Sequence, residues 1–241
     1  RENAVVSSQR SKKQSITIEG GAQIQTFELS VDKYDNNRHF FLGQEFRNFY
    51  ETAMINYPLI TSPFQIQEIE VWVTNRTGAT QNVRELVAFA DLGEPDPYSP
   101  QINGTPGAVF PDNDANDLYR RLNQSALLTR DVNQVVAEIT GPNFNLKQID
   151  DFEKTYAQKL NPSQYTVDMQ LGYISLNQQL QPNQVLAVSY VYTVNGETFK
   201  VGDLSRELGA GDTTTQANKV LFLKMLKSTS IRVKLPYWNL L

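Results

Sequence analysis

The run from Val185 to Val194, the dipeptide Asn195-Gly196 and the run from Glu197 to Leu204 constrain the fold more than any other feature of this chain. Asn-Gly between two alternating apolar runs is the strongest short signal for a β-hairpin. A two-residue turn also fixes the register. It sets Tyr192 opposite Phe199 and Tyr190 opposite Val201, on a face that Leu186, Val188 and Val194 extend. Cross-strand pairs of this kind add about 0.2–1 kcal/mol each beyond simple burial.

The same period recurs elsewhere. Ile69, Val71 and Val73 alternate with Glu68, Glu70 and Trp72, the polar cluster Asn75-Arg-Thr-Gly78 breaks the pattern, and a second apolar run follows. This predicts strands over 65–74 and 86–91. Further strand pairs are predicted at 15–19 with 22–29, around Gly20-Gly21, and at 165–169 with 172–176, and a last strand at 231–235. Helical spacing appears at Leu42, Phe46, Phe49, Tyr50 and Ala53, so residues 38–55 read as an amphipathic helix that stops before Pro58. Shorter helices are predicted over 114–122 and 131–139. A longer one is predicted over 146–160, where Ile149, Phe152, Tyr156 and Leu160 share a face ahead of Pro162. Residues 217–226 read as a further helix, interior because 221–226 is apolar most of the way round. The expected fold class is therefore α+β: mainly antiparallel, sandwich-like sheets with several packed amphipathic helices, and no barrel staves. Residues 1–14 read as a flexible polar tail and 15–241 as a soluble region, divisible into lobes at 15–140 and 141–241.

Composition narrows the chemistry. With 241 residues the chain can bury a core without staples, and with no cysteine it has neither disulfides nor thiol chemistry. A net charge of −4 argues against a protein that tracks nucleic-acid phosphates. No run approaches the roughly 20 apolar residues of a spanning helix. The chain opens at Arg1 without an initiator Met and stops on Leu240-Leu241, so both ends read as cut from a longer polypeptide.

No catalytic constellation emerges. His39 is the only histidine, which leaves a surface or capping role ahead of catalysis, and no Gly-x-Ser-x-Gly accompanies it. The cluster at 112–117 offers Asp112, Asp114 and Asn116 as a weak calcium candidate. Its sixth position is Asp117 and its twelfth Asn123, where a calcium loop needs Gly and Glu, so helix capping is the expected role. Asp150 with Asp151, and Glu68 with Glu70, are carboxylate pairs of no particular spacing. No phosphate-cradling glycine motif is present, no metal is assigned and no cofactor is expected. Asp212-Thr213-Thr214 fits a short O-glycosylation signal but reads first as a polar turn.

Residues 93–116 form the most loop-like stretch, with Pro95, Pro97, Pro100, Pro106 and Pro111, longer than an ordinary connection. Pro95, Pro97, Tyr98, Pro100 and Phe110 are the candidate partner contacts, because prolines lower the entropy cost of presenting an arm. Trp72 and Trp238 are expected in the domain's own core.

Several segments resemble one family. Besides the stretch from Gln65 to Asp96, these are Phe41-Leu-Gly-Gln-Glu-Phe-Arg-Asn-Phe-Tyr50, Leu171-Gly-Tyr-Ile-Ser-Leu-Asn-Gln-Gln-Leu180, Gln184-Val-Leu-Ala-Val-Ser-Tyr-Val-Tyr-Thr193 and Leu221-Phe-Leu-Lys-Met-Leu-Lys-Ser-Thr-Ser-Ile-Arg232. Together they resemble the SprA/Sov family, outer-membrane translocons of the type nine secretion system and gliding motility in Bacteroidetes. The resemblance implies a soluble piece of a large outer-membrane pore, acting as a structural, gating or partner-docking element and not as an enzyme. Its implied partners are a PorV-type barrel, a periplasmic plug and secreted cargo proteins. The piece either caps the extracellular mouth, the favoured placement, or hangs in the periplasm. The alternative is a carbohydrate-binding or adhesin-like surface module, in which an exposed Trp72 or Trp238 would stack on sugar rings.

Overall fold

A computed structural model describes residues 15–16, 27–28, 37–207 and 219–230. The chain divides into a unit of residues 1–36 and a unit of residues 37–240. In the first, β1 (Ser15–Ile16) pairs antiparallel with β2 (Phe27–Glu28), within the strand pair expected there. The predicted strand at 231–235 lies outside the described residues.

The second unit is built from β3 (His39–Phe41), α1 (Gln44–Met54), β4 (Phe64–Thr74), β5 (Val83–Phe89), three short helices, β6 (Phe152–Lys159), β7 (Tyr165–Asp168), β8 (Tyr173–Leu176), β9 (Leu186–Val194), β10 (Glu197–Val201) and β11 (Leu221–Lys227). The three helices are α2 (Leu118–Gln124), α3 (Ala126–Thr129) and α4 (Val135–Thr140). Strands β4, β9, β11, β5 and β6 close on themselves, because β6 returns to β4 through Trp72↔Lys159, Val73↔Gln158 and Thr74↔Ala157. The β11–β5 pair is parallel and the others are antiparallel. Strand β10 adds to the free stretch of β9, and β3, β8 and β7 form a separate three-stranded sheet.

The expected sandwich with several packed helices is thus corrected: the described residues are mostly sheet, a closed five-stranded mixed barrel with four short helices. Two misread segments account for most of the difference. Residues 146–160 hold β6, not a helix: Phe152 and Tyr156 sit on alternate sides from Glu153, Thr155 and Ala157, and Ile149 precedes the strand in a turn with φ 75°. Its 3–4 spacing was a coincidence of turn plus strand. Where a helix is predicted over 217–226, the described residues from Leu221 onward belong to β11, a central strand buried along its whole length. An apolar run without alternation fits a doubly covered strand as well as an interior helix, and only the neighbours decide. The 38–55 helix begins later than expected, since 39–41 is strand, and the two short helices are shorter than predicted.

Alternation along the barrel explains both faces. Leu86 and Ala88 on β5, Leu221, Leu223 and Met225 on β11, Ala187 and Ser189 on β9, Ala157 on β6 and Trp72 with Glu70 on β4 fall on one face by register. The small residues suit the inside of a narrow barrel. On the opposite face Val87, Phe89, Phe152 and Phe222 pack under Leu118, Leu122, Val135 and Ile139 of the helices. Around the barrel from there, the same face presents Phe64, Tyr190 and Tyr192 to Phe46 of α1, with ring centroids 5.0, 5.9 and 5.4 Å away. The Asn195-Gly196 turn has φ values of 50° and 90°, which Asn and Gly tolerate best, and it delivers the predicted register of Phe199↔Tyr192 and Val201↔Tyr190.

Candidate functional site

The 93–116 loop is not a free arm; hydrogen bonds brace it at both ends and along its middle. The Asp91 carboxylate accepts the backbone N–H groups of Tyr98 at 3.0 Å and Ser99 at 2.9 Å. Asn116 Nδ2 donates to the carbonyls of Asp91 (2.7 Å) and Glu94 (2.8 Å), while its Oδ1 accepts Leu118 N–H at the start of α2. One side chain therefore ties the two ends of the loop together. The middle closes through Thr105 N–H to the Ala115 carbonyl, 2.8 Å. Further on, the loop lies along β10: Asp112 Oδ1 accepts Lys200 N–H (2.9 Å), Asn113 N–H donates to the Lys200 carbonyl (2.8 Å), and Asn113 Oδ1 accepts Gly202 N–H (2.8 Å). The Tyr192 hydroxyl donates to the Pro111 carbonyl at 2.7 Å, and burial pushes that phenol upward. The loop thereby covers the edge that β10 would otherwise leave open. Gly93 makes the close approach possible, since it sits at φ 73° and a Cβ there would lie 2.8 Å from Val201.

Of the predicted contacts, Tyr98 is 44 % exposed and Pro100 is exposed, with Pro95 and Pro97 half-buried beside them in sequence. Partial burial, then the Glu94 and Asp91 carboxylates, push the Tyr98 phenol upward. Phe110 is half-buried and packs edge-on against Phe64 and Phe199, with centroids 6.0 and 5.5 Å away. Asp112 and Asn116, two of the calcium candidates, spend their oxygens on backbone amides, and Asp114 is exposed. Among the described residues no group of three His, Cys, Asp or Glu stands close enough to hold a metal.

Other sequence candidates are placed apart. His39 lies on β3 and meets Ser175 Oγ at 2.8 Å. Trp72 is 3 % exposed, its Nε1 donating to Glu70 Oε2 at 3.3 Å, so it offers no stacking surface for a sugar. Glu70 is buried and bonded to Lys159 Nζ (2.7 Å) and Ser205 Oγ (2.7 Å). Burial pushes its carboxyl upward, but those bonds outweigh it and hold the group below the usual carboxylate range. Glu68 pairs with Arg206, and Asp151 accepts Lys147 N–H in a turn, so neither acidic pair spans a cleft. Trp238 and Asp212 lie outside the described residues.

Sequence reasoning missed the two buried charge clusters that lock the loop and helices to the barrel. Lys224 on β11 pairs with Glu94 at 2.7 Å, the side chains 0 % and 1 % exposed. Lys224 also donates to the Ala90 carbonyl, while Glu94 accepts Gln44 N–H at the start of α1 (3.3 Å). Loop, barrel and α1 thus meet at one carboxylate. In the second cluster Asp203 accepts from Arg130, the Tyr119 hydroxyl (2.7 Å) and Phe222 N–H (2.7 Å), and the Arg130 guanidinium lies 3.7 Å from the Phe222 ring centroid. Burial and then Asp203 push the Tyr119 phenol up. A lysine inside Leu221-Phe-Leu-Lys-Met-Leu226 was the available signal, because a cation in an apolar run demands a buried partner. Also unforeseen is a cleft of about 370 Å³ where the barrel meets the three-stranded sheet.

No described helix is long and apolar enough to cross a membrane. Comparison with curated proteins gives no match. The family SprA_N, described as motility related/secretion protein, matches residues 2–181. That span is well over half of the chain, and so the protein belongs to the SprA_N family of motility related/secretion proteins.

Proposed function

We propose that this chain is a structural and partner-docking element of an outer-membrane translocation pore of the type nine secretion system, serving protein secretion and gliding motility in Bacteroidetes. The family, one of motility and secretion proteins and not of enzymes, supports this reading. The observation that carries the docking role is the braced loop. A long surface segment fixed by Asp91, Asn113 and Asn116 presents Tyr98 and Pro100 with little ordering entropy left to lose on binding. Its partners are other translocon components, a PorV-type barrel or periplasmic plug, and secreted cargo. The placement proposed is the extracellular mouth of the pore.

Deleting the loop is a poor test, because Ile102 and the Asn113 bonds belong to the fold. The test is a photo-crosslinking residue in place of Tyr98 in whole cells, with Tyr98→Ala and Pro100→Ser beside it. Crosslinks to a translocon component or cargo, and reduced secretion by variants that keep wild-type stability, are expected. Normal secretion and no crosslinked partner would remove the docking role. Protection of Tyr98 from extracellular labelling in intact cells, with labelling after the outer membrane is opened, would move the site to the periplasm.

A further inference from the structure

The cleft at the seam of the two sheets has a composition at odds with the rest of the chain. Its floor is apolar, made by Val73 of β4, Leu160 after β6, and Leu176 and Leu180 at and beyond the end of β8. Its walls are carboxamides, among them Gln158, Gln178 and Gln179. Among the described residues no acidic side chain lines this cleft, and Arg76 is the one charged side chain that does. Among the described residues Arg76 has no carboxylate partner and is held only by the Asn183 side-chain oxygen.

The polar groups around the cleft divide into committed and free. Asn177 donates to the Ser163 carbonyl (2.7 Å), Gln164 accepts Asn161 N–H (2.8 Å) and Gln184 accepts Gln181 N–H (2.8 Å), so these hold the walls in place. Among the described residues the side chains of Gln178 and Gln179, both exposed, have no hydrogen-bond partner, and that of Gln158 meets only the Thr77 hydroxyl, at 3.5 Å. Arg76 keeps donors to spare after its one bond. The result is an apolar floor, free amide donors and acceptors, and an unneutralised guanidinium at the rim.

The geometry points to a binding site for a short extended peptide segment that carries a carboxylate side chain beside an apolar one. Glutamine amides match the alternating N–H and C=O of a peptide backbone, donor for acceptor. The floor takes the apolar side chain, and Arg76 takes the carboxylate in a charge-assisted bond. The volume is at the small end for ligand sites, which suits a few residues and not a folded surface. A saccharide is disfavoured because no aromatic ring among the described residues lines the cleft to stack on a sugar. This site is separate from the 93–116 loop and stands whether or not that loop docks a partner.

The test is titration of the whole 241-residue chain, followed by amide NMR, with three probes: capped Leu-Glu-Leu, its Leu-Gln-Leu counterpart and methyl glucuronide. The acidic tripeptide is expected to shift the side-chain amides of Gln158, Gln178 and Gln179. Arg76→Gln, at an exposed position, should weaken it about tenfold and bring it level with the neutral peptide. Gln178→Ala with Gln179→Ala should weaken both peptides alike. Binding of the glucuronide alone, equal affinity for the two peptides in the wild type, or shifts confined to other surfaces would each overturn the assignment.

Discussion

At the scale of single residues, the informative groups include charges that the fold buries, Lys227 and Glu70. Lys227, 2 % exposed, donates to the carbonyls of Pro182 (2.8 Å), Gln184 (2.9 Å) and Ser228 (3.1 Å), and burial lowers its pKa to about 8. The folded state therefore binds this proton less tightly than the unfolded state does. Its protonation costs stability below pH 8, and stability should rise between about pH 8 and 10.5 by on the order of 3 kcal/mol. Chemical denaturation against pH checks this, and the rise should vanish in Lys227→Met. Glu70 has the opposite sign. Its carboxyl is held below 4.5, so the stability it contributes is present above that pH and lost as pH falls through the folded value. In Glu70→Gln the acid limb of the same curve should flatten. Ile149, 46 % exposed at φ 75°, carries a β-branched side chain in a backbone region that disfavours it. Replacing it with Asn should raise the melting temperature, consistent with relief of about 1 kcal/mol.

At the scale of elements, the hairpin and β11 mark what was and was not legible. The β9–β10 register could be read because the Asn-Gly turn and the aromatic alternation both sit within one short segment. Strand β11 could not, because its neighbours are β5, far earlier in the chain, and β9. Its apolar run answers to two covering layers, and local sequence does not say what those layers are. The loop site was legible as a loop, from its prolines, but not as a braced one. Asp112, Asp114 and Asn116 looked like ligands because Asp and Asn also cap helices and turns, and Asp112 and Asn116 do so here. The Lys224–Glu94 pair holds loop, barrel and α1 together, so Lys224→Met alone should cost about 3–5 kcal/mol by stranding a buried carboxylate. Adding Glu94→Gln should restore most of that loss, measured as a double-mutant cycle in urea.

At the scale of the whole molecule, closure is the decisive property and its weakest point is definable. Strands β4 and β9 pair over nearly their full length, whereas β6 meets β4, and β11 meets β9, through three residue pairs each; of these two seams the one at β6 is open to solvent, with Tyr156 47 % exposed, while β11 is buried throughout. Hydrogen exchange should open the β4–β6 seam first, with amides at 157–160 exchanging faster than those of β9 and β11. Uniform protection around the barrel would contradict that order. The seam also borders the carboxamide cleft, which shares Val73, Gln158 and Leu160 with it, so a bound peptide should slow exchange there. The sequence by itself determined the strand pairs that local turns join, the proline-rich loop and the family, because each is written in contiguous residues. Tertiary structure alone decided that the sheet closes into a barrel, that two helix-like runs are strands, and that Lys224, Arg130 and Glu70 are buried with partners. Those outcomes depend on which distant segments meet, and the free energy of a covered face or a buried charge exists only once they do.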